Sequence, residues 1–350
     1  MIKIHYPGPG KIIRAENEPE KLGSEIGLLG KNLLVLSAPD IFEKYKSYFK
    51  KALKESRNFI QEFGGECCGE EISALEKQVR RNKSDVVLVL GGGKAMDAGK
   101  MLAARTGIPL AAFPTSSATC ACFTHHSVLY TGEGVYLGEE ETKNPEILFL
   151  DYSLIKDQPF PLFASGLADA LAKFYERTGV SGKVEELAVK ISELIYLRIH
   201  SSAYRPGAGF DRSPKMTDLI EVALLYPGIT GAWGGKSLRA GTAHALANAF
   251  TSLFPGHPEM KEHYHGELVG LGLLVMLYLR RDMEELTRLR KLFIETDLPV
   301  NFFQLGLKEL SREELDLIVS KTLISEFFRE SQEELSLRNA LLDVGFSLKV

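Results

Sequence analysis

Cysteine is scarce in this chain. The four present, Cys67, Cys68, Cys120 and Cys122, fall as an adjacent pair and a one-apart pair. Those spacings suit neither a disulfide framework nor the C-x-x-C knuckle of a structural zinc site, so a reducing cytoplasm is the expected setting. Long apolar runs are missing as well. The longest, LVGLGLLVMLYL, reaches only about half to two-thirds of a membrane span. The opening MIKIHYPGPG lacks the charged start and apolar stretch of an export signal. No membrane segment and no export are therefore expected. Neither sign of charge dominates: the formal net charge of −4 argues against a nucleic-acid partner and reads as ordinary solubility. Internal repeats and low-complexity segments are also lacking.

What is present is ordinary globular usage, with 45% hydrophobic and 25% charged residues. At 350 residues the chain is too long for one comfortable core, which predicts two domains. NLLVLS, NFIQEFGG, DVVLVLGGG, IPLAAFPTS and EILFLD read as strands, several apolar almost throughout, as strands covered by helices on both faces must be. SVLYTGEGVYLG has two β-rich pieces around Gly132, Glu133 and Gly134, a hairpin signature. From PLFASGLADALAKFYE onward the apolar spacing turns to about 3.6 residues. EELAVKISELIYLRIHSSAY, LVGLGLLVMLYLRR and REELDLIVSKTLISEFFRE are further helical stretches. The expected fold is an α/β doubly wound parallel-sheet domain over residues 1–158 followed by an all-α domain over 159–350. Pro159 and Pro161 in DQPFPLF mark the linker.

In DVVLVLGGGKAMDAGKMLA a buried strand runs into Gly91, Gly92 and Gly93 and then a helix. Glycines at such a turn let backbone approach a ligand, and the free N–H groups of the helix start favour phosphate, so a dinucleotide is the natural occupant. The spacing is neither G-x-G-x-x-G nor a P-loop; the bland alternative is a tight turn, with Lys94 a solvated side chain. The first strand of such folds often ends in an acid that holds the adenosine ribose. Here that strand, LLVLSAPD, ends in Ser37 and Ala38, with Asp40 only further on. Missing carboxylate at Ser37 leaves NADP open beside NAD, unless Asp40 does that work or simply caps the next helix.

The helical domain must then supply reactive groups at the crevice between the two halves. Asp169, His244 and His265 on different helices would form a three-ligand divalent-metal site with a position open for substrate. Each has a blander reading. Asp169 reads as a first-turn carboxylate favoured by the helix dipole, and His244 as a core histidine. The small residues Gly241, Ala243, Ala245 and Ala247 around His244, and Gly266, Gly270 and Gly272 after His265, point to close packing or a ligand. His257 and His263 read as surface-loop histidines, or as groups that support the ligands or relay a proton.

Taken in order, FGGEC before an EEI helix, GGGKAMDAGK, PTSSAT, SVLYT, GLADALAKFYE, AHALANAF and HGELVG resemble the blocks of the iron-containing alcohol dehydrogenase superfamily, in its glycerol dehydrogenase-like branch. The resemblance implies the architecture of dehydroquinate synthase-like enzymes, with zinc or ferrous iron at Asp169, His244 and His265. It also implies NAD or NADP contacts at Gly92, Gly93, Lys94, Asp97, Thr115, Thr124, His126 and Tyr130. Gly91, Ser116 and Ser37 complete the candidate cofactor set. The sequence departs from the branch in several places. Thr124 and His126 stand where serine and leucine are usual, Ala168 replaces the glycine before the ligand aspartate, and the segment from His244 to His265 is longer. Cys120 stands where glycerol dehydrogenases place a substrate-binding aspartate. A thiol accepts hydrogen bonds poorly and carries little charge at neutral pH, so glycerol loses a partner while a carboxylate-bearing substrate loses a repulsion. The ATCA version of the block resembles a hydroxycarboxylate dehydrogenase sub-branch; the bland reading of Cys120 and Cys122 is two small buried hydrophobes.

These residues together predict an oxidoreductase that moves hydride between a small polyol or hydroxy acid and NAD(P), its metal stabilising the alkoxide. The substrate is a small molecule and the assembly a homo-oligomer. Three rivals stand beside it: a true glycerol dehydrogenase using NAD, a glycerol-1-phosphate dehydrogenase or dehydroquinate synthase-like lyase, and a cofactor-binding protein without activity. The phosphate-handling enzymes should carry extra Lys or Arg near the metal motifs. GTAHALANAF and HYHGELVG contain none, although Lys236 and Arg239 lie just upstream.

Overall fold

The computed structural model describes residues 7–177, 182–202, 214–330 and 333–346. The chain divides into two compact units, one of Met1–Gly132 with Leu137–Gln158, the other of Glu133–Tyr136 with Pro159–Val350.

The first unit is built on a six-stranded sheet of β1 (Lys11–Ala15), β2 (Asn32–Ser37), β3 (Arg57–Glu62), β4 (Val86–Gly91), β5 (Leu110–Pro114) and β8 (Ile147–Asp151). Its order is β1-β8-β5-β4-β2-β3, and every paired neighbour runs parallel. Burial along the sheet explains which strands are easy to read. β4, β5 and β8 are buried at every position and β2 at all but its first, so they are apolar runs. The edge strands β1 and β3 are mostly exposed. β1 is absent from the strands read above, although the equally exposed β3 is read there as NFIQEFGG, and LLVLSAPD is the second strand rather than the first. Phe113 on β5 stacks on Phe149 of β8 at 5.7 Å and meets Phe49 edge-on at 5.4 Å, anchoring one face of the sheet. β6 (His126–Tyr130) and β7 (Tyr136–Glu141) form a separate two-stranded sheet. The turn between them places Gly134 at φ 85°, a conformation that needs glycine.

The second unit is helical. Phe160–Tyr175, Lys183–Ser201, Thr242–Phe250 and His265–Leu279 are its long or site-bearing helices. The stretch REELDLIVSKTLISEFFRE is helical only over Arg312–Leu323 and continues irregularly from Ile324. Part of EELAVKISELIYLRIHSSAY, its last two residues, lies outside the described set. No helix among the described residues is long and apolar enough to cross a membrane.

Three glycines let the site helices approach one another. A Cβ on Gly266 would lie 1.9 Å from the carbonyl oxygen of Ser165, and one on Gly272 2.6 Å from that of Ala243. Backbone packs against backbone here, so these glycines mark helix contact. Gly270 faces the methyl of Ala168, which shows how the extra carbon of Ala168 is accommodated beside Asp169.

Candidate functional site

Asp169 sits in the third turn of Phe160–Tyr175, not the first, and is 4% exposed. The helix dipole therefore does not account for its charge, and a buried carboxylate at mid-helix needs partners. Those partners are imidazoles. His244 Nε2 lies 3.3 Å from Asp169 Oδ1 and His265 Nε2 lies 3.9 Å from the same oxygen. One ligand atom from each of Asp169, His244 and His265 falls within 4.8 Å of the others, and this is the group with such spacing among the described residues. Two nitrogens and a carboxylate oxygen converging from three helices suit a divalent ion that prefers mixed N and O donors.

The electrostatics follow from burial and proximity. Burial alone would raise the Asp169 carboxyl, but the hydrogen bond from His244 and the charges of Lys173 and the two histidines hold it well below the usual range. His265 is pushed down to about 4, chiefly by burial, so its imidazole is neutral near pH 7 and able to ligate. His244 goes the other way. Burial opposes its charge, yet the Glu176 carboxylate and the hydrogen bonds to Asp169 and Glu176 overcome that, pushing it up to about 9.

Two neighbours escaped the sequence reading. Glu176, 3% exposed, holds His244 through two contacts, a 3.0 Å bond from the His244 backbone N–H and a 2.5 Å contact with Nδ1. Lys173, 5% exposed, donates to the Arg239 carbonyl and lends its charge to the cluster. Both lie in the quoted block GLADALAKFYE, four and seven residues beyond Asp169, a spacing that returns to one helix face and could have flagged them. A cation near the metal motifs thus comes from the Asp169 helix, with one of its three N–H donors on a backbone carbonyl. His257 and His263 are not part of the cluster: the first is bonded to Glu259 and Glu314, the second to Glu267.

In the first unit the glycine turn is as expected in outline. Gly91 ends β4, Gly92 precedes the helix Gly93–Thr106, and no side chain caps that helix start or places an acid in its first turn. None of the three glycines has positive φ. Space is what they provide, since a Cβ on Gly93 would come 2.7 Å from Thr119 Oγ1 and one on Gly91 3.0 Å from Ala38 Cβ. Thr115 ties β5 to this turn through its N–H to the Gly91 carbonyl, and Ser116 Oγ stands 3.4 Å from the Cβ position of Gly92. Lys94 pairs with Glu66 at 2.7 Å and lies 5.0 Å from the centre of the Tyr130 ring. Asp97 turns inward: its carboxylate pairs at 2.9 Å with Lys100, which is 1% exposed and also donates to Thr124 Oγ1 and the His126 carbonyl. Lys100, unremarked in the sequence, thus ties three of the candidate cofactor residues together. Ser37, 2% exposed, donates to the Ala38 carbonyl, and Asp40 adopts φ 60° without capping the next helix. Cys122 fits the reading of a buried hydrophobe, its thiol pushed up to about 12 by burial, whereas Cys120 remains partly exposed.

A parallel α/β unit with an uncapped glycine turn and a helical unit with an N,N,O cluster are parts that an alcohol dehydrogenase-type oxidoreductase requires. The chain belongs to the iron-containing alcohol dehydrogenase family: that family's profile matches residues 9–152, and full-length relatives extend the match. Glycerol dehydrogenase of Escherichia coli O6:H1 is 30% identical over 86% of this chain and 84% of its own length. Hydroxycarboxylate dehydrogenase A of Escherichia coli K12 is 27% identical over 75% and 74%. The crystal structure of a probable glycerol dehydrogenase from Sinorhizobium meliloti 1021 superposes with a TM-score of 0.83, covering 98% of both chains at 23% identity. The glycerol dehydrogenase-like branch is thereby the chain's place in its family.

Proposed function

We propose that the protein is a metal-requiring, NAD(P)-dependent oxidoreductase that interconverts a small hydroxy compound and its ketone, with 2-oxo acids and 2-hydroxy acids as the preferred pair. The convergence of Asp169, His244 and His265 within 4.8 Å carries this reading. When bound, the divalent ion supplies Lewis acidity to the reacting oxygen and the dinucleotide accepts or donates hydride. Asp169, His244 and His265 hold the ion, and one carboxylate among three ligands leaves the site net positive, which favours an anionic oxygen. His265 is ready without losing a proton. The N–H groups at Gly92 and Gly93 receive the phosphates, helped by a helix start that carries no acid. Lys94, Thr115, Ser116 and Tyr130 flank them, while Asp97 and Lys100 brace the segment carrying Thr124 and His126.

The lean to 2-oxo acids rests on Cys120, a partly exposed thiol where an acid would repel a substrate carboxylate. A glycerol dehydrogenase is the second reading, favoured by the long match to the Escherichia coli enzyme of that name. Ser37 at the end of β2 supports NADP beside NAD, since no carboxylate there opposes a 2′-phosphate. A cytoplasmic homo-oligomer completes the proposal. Oxidation of NADPH and NADH with 2-oxobutyrate, 2-oxoglutarate and dihydroxyacetone, each with and without chelator, tests it. Chelator-sensitive turnover of the acids with NADPH is expected; dihydroxyacetone with NADH as the best pair would overturn the substrate assignment, and chelator-resistant turnover the metal.

A further inference from the structure

We propose that Glu176 is a positioning residue for His244: one buried carboxylate grips both the backbone and the ring of that residue and so decides which ring nitrogen faces Asp169 and His265. The inference rests on the metal reading above and deepens it.

Glu176 follows Asp169 by seven residues, two helical turns, and so emerges on the same side of its helix. Its two oxygens do different work. Oε1 accepts the His244 backbone N–H at 3.0 Å, and Oε2 lies 2.5 Å from His244 Nδ1. His244 is the third residue of Thr242–Phe250, so its N–H is among those a helix start leaves without an internal partner. The preceding residue at the cap, Gly241, has no side chain to offer. Instead the cap arrives from another helix. Gly241 also makes room for it, since a Cβ there would stand 2.9 Å from Glu176 Cβ.

A carboxylate can only accept, so the ring nitrogen facing Oε2 must carry a proton. With Nδ1 committed as donor, Nε2, 3.3 Å from Asp169, is the nitrogen that can give up its proton and turn a lone pair to a cation. Because the same carboxylate also pins the backbone, neither ring rotation nor a shift of the helix start can release the imidazole independently. Glutamine at 176 would preserve the shape but not the chemistry. Its amide has one acceptor and one donor, so either the backbone N–H or the Nδ1 proton loses its partner. Keeping the backbone bond sets an NH2 against Nδ1, which moves the ring proton to Nε2 and blocks coordination.

The test compares zinc affinity of metal-free wild-type protein, Glu176→Gln, Glu176→Asp and Glu176→Ala by competition with a chromogenic chelator, alongside the Tm of each metal-free protein. Glu176→Gln should keep a Tm close to wild type yet bind zinc roughly 10- to 100-fold more weakly. Glu176→Asp restores two acceptors and should recover part of that loss. Zinc affinity of Glu176→Gln within twofold of wild type would overturn the proposal. So would variants that lower Tm while binding zinc normally, which is the behaviour of a cap alone, or an aspartate no better than the glutamine. A wild-type protein that binds no divalent ion fails differently, by removing the metal reading itself.

Discussion

Asp151 in the α/β unit and Asp169 in the helical unit are both buried almost completely, and the two are used in opposite ways. Asp151, at the end of β8 in the α/β unit, is fully buried and saturated with donors. It accepts from the backbone N–H groups of Asn17, Glu18 and Ser153, from the Ser153 hydroxyl at 2.6 Å and from the Tyr48 hydroxyl at 2.7 Å. Burial would raise its pKa, but these donors outweigh it and hold the group below its ordinary value. Asp169 is as deeply placed, yet among the described residues its partners are imidazoles at 3.3 and 3.9 Å rather than fixed backbone donors. A carboxylate whose lone pairs are all taken by the fold is a strut. One surrounded by groups that could themselves be ligands is poised for a cation. Burial and charge alone do not separate the two cases; the identity of the partners does.

Substitution at the cluster should have the largest effect. Asp169→Asn or His265→Ala is expected to lower turnover about a thousandfold or more, with dinucleotide binding retained, as read by steady-state kinetics and fluorescence titration. Unchanged turnover would place Asp169 beside Asp151 as a structural group. Next comes Asp151→Ala, expected to cost about 3 kcal/mol of stability by stranding several buried donors while leaving metal content per folded molecule as in wild type. Denaturant unfolding with metal analysis checks both halves. The lowered pKa of Asp151 adds a pH signature: its contribution is complete above the unfolded value near 3.8 and fades as pH falls through the lower folded value. Gly266→Ala should cost roughly 1–3 kcal/mol by overpacking against Ser165 and should weaken metal binding as well. The smallest effect concerns His257, held between Glu259 and Glu314 with its pKa raised chiefly by the Glu314 bond. That pairing is fully present below about 6.5 and lost as pH climbs through the raised value, worth about 0.2–1 kcal/mol at this partly exposed position. A pH series of melting curves for His257→Ala against wild type would show it; a constant difference from pH 6 to 9 would refute it.

The legible parts of the chain are those where environment acts on several consecutive residues. β2, β4, β5 and β8 lie inside the sheet, so every position is under the same demand for apolarity and the runs stand out. The exposed edge strands β1 and β3 are under no such demand; NFIQEFGG of β3 is still legible, while the five residues KIIRA of β1 are not. Asp169, His244 and His265 could be picked out because each sits in a distinctive block. Asp169 lies deeper in its helix than the block around it suggests, because Phe160 and Pro161 already belong to that helix, which starts directly after Pro159. The roles of Glu176 and Lys173 are not legible in GLADALAKFYE, since they depend on what faces them from the short helix ending at Arg239 and from the helix starting at Thr242.

Local chemistry written into the chain was enough to determine the alternation of buried strands and helices, the glycine turn after β4, and the residue types able to bind a divalent ion. These are short-range properties, carried by periodicity, backbone freedom and side-chain identity. Tertiary structure alone decided that three side chains separated by up to 96 positions share one oxygen-centred cluster, and that one glutamate fixes the ring of His244 while a different aspartate merely braces a strand end. Those assignments depend on which backbones come within contact distance, and that distance is set by packing, as at Gly266 against Ser165, where the absence of a single methyl group permits it.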